Sequence, residues 1–98
     1  MKVRDLLIDA SKWTTKTSAR NAEGEACSPI SKDAVCWCLS GAMLKCYPDT
    51  YYDHSWLEIE RRLRNHLKIL GEYSLLVWND NPKRTFQDIR DLITTLDI

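Results

Sequence analysis

The run from Asp33 to Cys46 is the most apolar stretch of the chain and lies near its middle. Wound as a helix it shows two apolar stripes. Val35, Cys38, Leu39, Ala42 and Cys46 form one; Ala34, Trp37, Gly41 and Leu44 form the other. A helix apolar over that much of its circumference must be covered on more than one side. The run therefore predicts a buried central helix with the other segments packed around it. Ser31 is placed to cap its start, and Asp33 to meet the positive end of its dipole. Gly41 costs helix propensity on the order of 1 kcal/mol, and the usual reason to keep it is close approach of another backbone. Tyr47-Pro48-Asp49 should end the helix, because proline disfavours helical geometry in the residue before it.

The flanking segments read as helices too. Val3, Leu6, Leu7 and Ala10 share one helical face, which predicts a first helix over about 2–12 with Trp13 tucked beneath it. Residues 14–29 have no helical period, and Asn21-Ala22-Glu23-Gly24-Glu25 is a turn signal, so a short hairpin turning at Glu23-Gly24 fits there. A third helix is expected over about 55–70. Trp56, Ile59, Leu63, Leu67 and Leu70 should line its inner face, with Glu58–Arg62 and Glu60–Arg64 in the favourable acid-first order. Tyr73 to Trp78 is too short an apolar run to separate strand from helix, and is expected to be buried across the bundle. Asn79-Asp80-Asn81-Pro82 reads as a turn. Thr85 with Asp88 then opens a last helix as a capping box, with Phe86, Ile89, Leu92, Ile93 and Leu96 inward. The expected fold is one mainly α domain over residues 1–98, a compact set of four helices with room for a short β-hairpin between the first two.

Composition narrows the partners. Fourteen basic and fourteen acidic residues cancel, which argues against a protein that simply coats DNA. No apolar run approaches the ~20 residues needed to cross a bilayer, so no membrane role is expected. The N-terminus lacks the apolar core of a secretory signal. With that reading the chain is expected to be cytoplasmic and its four cysteines to be thiols.

Few residue patterns carry chemistry. Cys36 and Cys38 would point to different faces of a helix, and no CxxC or HxxxH pair is present, so neither metal nor cofactor is expected. Cys36 or Cys38 with His54 or His66 is the available thiol–imidazole pairing. Burial in an apolar helix would raise a thiol pKa rather than lower it. Asp49 with Asp53, and Asp80 with Asp88, are more simply capping and turn residues. The three glycines make no phosphate-binding loop.

Two stretches, with Trp13 after the leading helix, carry a resemblance. They are Trp37-Cys38 followed by Gly41-Ala42, and Trp78-Asn79-Asp80 followed by Thr85 and an amphipathic helix. Together they resemble a small uncharacterised domain family of bacteria and their phages. The resemblance covers most of the chain in order and spacing. It implies a helical fold and a phage setting, and brings no catalytic residues. The charged helix from Glu58 to Lys68 departs from that pattern.

The residues favour a non-enzymatic binding protein. Arg61, Arg64 and Lys68 lie at i, i+3 and i+7, close in sequence to Tyr51, Tyr52 and His54. Aromatics beside arginines are the composition of interface hot spots, and also suit stacking on bases. A protein partner is expected first, in the phage setting a host factor such as a defence component that the chain would inhibit. A nucleic acid or nucleotide comes next. The Gly41-Ala42 pair could also seat a second subunit in a homo-oligomer. The alternative is a small-ligand or nucleotide site near Trp37, Trp78, Asn79 and Arg84. A third reading is an enzyme built on Cys36.

Overall fold

The structure is a computed structural model that describes residues 1–47, 55–69 and 74–98. The described part is mainly helical, with a two-stranded antiparallel ladder before the central helix. In chain order it contains α1 (Val3–Leu6), a 3-10 turn (Ala10–Lys12), β1 (Ala19–Arg20), β2 (Cys36–Trp37), α2 (Leu39–Cys46), α3 (Ser55–Ile69), α4 (Leu75–Asp80) and α5 (Phe86–Leu96).

The first helix is shorter than its period suggests. It stops at Leu6, and Asp9 starts a separate 3-10 turn by accepting the Ser11 N–H at 2.9 Å. Such local side-chain bonds compete with helix propagation. The break leaves backbone carbonyls for a distant partner: Arg90 of α5 donates to Arg4 O at 2.8 Å and Leu7 O at 3.3 Å.

The central helix is also shorter than expected, and for a longer-range reason. Ser28 and Ser31 do accept nearby N–H groups, but these close turns rather than open a helix. Cys36 and Trp37 are strand residues, paired with Arg20 and Ala19. An isolated bridge from Arg20 to Ala26 sits on the far side of β1 and closes the expected turn, in which Gly24 takes φ +81. Cys38, not Ser31, is the N-cap of α2, and its sulfur accepts the Gly41 N–H at 3.3 Å. The helix ends at Cys46 before Tyr47, as expected.

Gly41 has the close backbone neighbour its cost implies. A Cβ there would stand 2.0 Å from the carbonyl oxygen of Ser18. That same oxygen accepts the Cys38 N–H at 3.1 Å. The strand segment thus lies directly on the first turn of α2.

Helices α3 and α5 match their sequence periods. Ile59, Leu63 and Leu67 of α3 meet Ile89, Leu92 and Ile93 of α5 in a single core, which also takes in Val3, Leu7, Leu39, Met43 and Ile98. Trp56 and Leu70, expected on the same face of α3, lie outside the described side chains. Thr85 and Asp88 form the expected capping box. One ion pair differs: Glu58 pairs with Arg61 at 2.8 Å, and Arg62 instead donates to the Leu96 carbonyl.

Residues 75–80 form a helix, so Trp78-Asn79-Asp80 is its last turn rather than a free turn. Trp78 and Asn79 are buried, whereas Leu76 and Val77 face outward. The segment is therefore half-exposed, not buried across the bundle. The true turn follows, closed by Arg84 N–H to Asn81 O at 2.8 Å.

Candidate functional site

The inner face of α3 is anchored, and this fixes what its outer face presents. Ile59, Leu63 and Leu67 are buried. The Arg61 and Arg64 side chains are 67% and 73% exposed, and Lys68 is exposed with them. Arg61 pairs with Glu58, and Arg64 with Glu60 at 2.6 Å. The Arg61–Glu58 pair is exposed on both sides and holds little net free energy, so an external carboxylate can replace Glu58 at small cost, whereas Glu60 is mostly covered and keeps its hold on Arg64. Tyr51, Tyr52 and His54 lie outside the described residues.

A cleft of about 370 Å³ runs along this face. Arg64 and Glu60 form one wall, Ser74, Leu75 and Leu76 another, and Ser40 and Met43 of α2 the base. Leu76 and its neighbour Val77 are 57% and 63% exposed. The sequence reading missed this apolar pair. Its signal is the helical period: with Leu75, Trp78 and Asn79 turned inward, residues 76 and 77 must point outward.

The four residues of the small-ligand alternative do not share one open site. Trp37 is buried, and its indole N–H donates to Pro29 O at 2.9 Å. Asn79 is a buried node. Its Oδ1 accepts the Trp13 Nε1–H at 2.9 Å and the Leu39 N–H at 3.0 Å. Its Nδ2 donates to Thr14 O at 3.3 Å and to Asp80 Oδ1 at 2.9 Å. An amide has two donor hydrogens and two acceptor lone pairs, so these four bonds use the whole side chain. Trp78 and Arg84 do belong together: the guanidinium lies 4.0 Å from the ring centroid, and its Nε donates to Trp78 O at 2.9 Å.

Cys38 and Cys46 are shifted away from reactivity. Cys38 is buried and its pKa is raised by desolvation; burial likewise pushes Cys46 up to about 11. A reactive thiol needs the opposite shift. Cys36 lies in β2 rather than in the central helix, and all four cysteines carry free thiols. Among the described residues, no three His, Cys, Asp or Glu side chains come together as metal ligands.

The geometry defines a small mainly α domain with an anchored, charged helix face beside a cleft of mixed polar and apolar lining. Among the described residues, no helix is long and apolar enough to cross a membrane. The chain belongs to DUF6197, a family of unknown function, whose profile matches residues 1–96. No curated protein and no solved structure matches the chain.

Proposed function

We propose that this chain is a non-enzymatic binding domain that engages an acidic protein surface through the outer face of α3. The carrying observation is the pairing of a fixed inner face with two outward arginines beside the Leu76 cleft. Anchoring of the inner face by Ile59, Leu63 and Leu67 limits the ordering cost of binding, and the arginines supply directional bonds to carboxylates. Leu76 and Val77 add the apolar contact that a charged stripe alone lacks. Lys68, exposed on the same helix, extends that surface, and Tyr51, Tyr52 and His54 are assigned to it from their nearness in sequence alone. Free thiols support a reducing, cytoplasmic setting. In the phage setting that the sequence resemblance implies, the partner is a host factor such as a defence component.

The test is capture from host lysate with the wild-type chain, the double reversal Arg61→Glu with Arg64→Glu, and a control reversal of Lys32 and Lys83. The expected outcome is a salt-sensitive partner retained by wild type and control and lost from the α3 variant. Equal capture by all three refutes the surface.

A further inference from the structure

A second cleft, of about 240 Å³, lies on the other side of α3, where that helix runs beside α5. Its walls carry His66, Trp78, Arg84, Asp88, Asp91 and Thr95. The proposed protein-binding face uses none of them.

The charges in this cleft are mixed and incompletely matched. The Arg84 guanidinium carbon lies 4.0 Å from the Trp78 ring centroid and Nε donates to Trp78 O, which leaves the Nη nitrogens for other partners. Nη1 stands 3.7 Å from Asp88 Oδ2, an ion pair without hydrogen-bond contact. Asp88 Oδ2 instead accepts the Thr85 N–H at 2.9 Å. Asp91 accepts from Gln87 at 2.8 Å through Oδ1, on the exposed side of α5. The walls therefore offer a preorganised guanidinium, two carboxylates, an imidazole and a hydroxyl within one small volume.

From this arrangement we infer that the cleft binds a small zwitterion carrying both a carboxylate and an ammonium, as a free amino acid does. The Arg84 edge takes the ligand's carboxylate, since planar guanidinium matches it in two parallel bonds. Asp91, with Asp88, takes the ammonium. His66 and Thr95 complete the polar walls. A simple anion meets two carboxylates, and a simple cation leaves the guanidinium with only its long ion pair to Asp88. Only a molecule bearing both charges satisfies both ends. The volume lies below the range usual for drug-sized ligands, which restricts the site to small molecules.

Glycine, alanine, serine and glutamine, each as the free amino acid, are titrated into the intact protein while the His66 ring resonances are followed by NMR. Ethylamine and acetate are titrated in parallel. At least one amino acid is expected to give a saturable shift, with both single-charge probes much weaker. Asp91→Asn, at an exposed position, is expected to weaken binding at least about tenfold with the far-ultraviolet spectrum and melting temperature unchanged. No saturable shift with any amino acid, equal binding of ethylamine or acetate, or undiminished binding by Asp91→Asn overturns the assignment.

Discussion

The indole N–H of Trp13 donates to the side-chain oxygen of Asn79 at 2.9 Å across a separation of 66 residues. The same oxygen accepts the N–H of Leu39, the first residue of α2. One amide therefore joins the end of the N-terminal segment, the start of the central helix and the last turn of α4. It satisfies one of the donors that every helix N-terminus leaves open.

Replacing Asn79 with Leu should be severely destabilising. It strands the Leu39 N–H, the Trp13 indole and the Thr14 carbonyl, and each buried unsatisfied group costs about 1–3 kcal/mol. Urea denaturation should show a loss of at least about 3 kcal/mol. A loss below about 1 kcal/mol would mean that the node is dispensable.

Gly41→Ala should destabilise although alanine is the better helix former. The gain in propensity is about 1 kcal/mol. Against it stands a Cβ 2.0 Å from a backbone oxygen that cannot simply swing aside. The net effect should be a loss of roughly 2 kcal/mol, typical of forced overpacking. Gly24→Ala is the informative comparison. It meets open space but sits at φ +81, so its cost should be limited to roughly 1–2 kcal/mol of backbone strain. Thermal melts of the two variants distinguish steric from conformational causes.

Acid should destabilise the fold through particular carboxylates. The Lys2 hydrogen bond, then the Arg4 charge, hold Asp97 below the usual carboxylate range; the Thr85 backbone N–H does the same for Asp88. A folded-state pKa below the unfolded value of about 3.9 gives stability that is complete above that value. It is lost as pH falls through the folded value. Asp97→Asn should therefore be less stable than wild type near neutrality and show a shallower decline below about pH 4. Urea midpoints taken across that range check this, and parallel curves for the two proteins would contradict it. The effect should be modest, because the Asp97 and Lys2 side chains are exposed.

Thiol labelling should report unfolding at two cysteines. With a pKa of about 11, Cys46 holds only about one thiolate in ten thousand near neutral pH. Cys38 is buried with its sulfur occupied by the Gly41 N–H. Both should resist iodoacetamide in buffer and react in urea, as read by peptide mass spectrometry. Rapid labelling of either in the folded protein would contradict the burial.

Helices α3 and α5 were legible from sequence because each repeats its apolar side chains over several turns and carries its own end signals. Cys36 and Trp37 were not. A short apolar run suits a strand or a buried helix equally, and here the choice is made by Ala19 and Arg20, which pair with it. The first helix differs for a similar reason: Asp9 and Arg90 decide where it breaks, and neither shows in the spacing of its apolar face. Arg61 and Arg64 were placed outward correctly by the period of α3. The companion pair Leu76 and Val77 was missed, because its exposure follows only once residues 75–80 are known to be helical.

Binding through α3 is tested most directly by the hydrogen-exchange footprint of the complex with the captured partner. Slower exchange is expected across residues 57–68, spreading to 75–77, with the turns at 21–25 and 81–84 unchanged. Protection confined to those turns, with α3 exchanging as in the free protein, would contradict it.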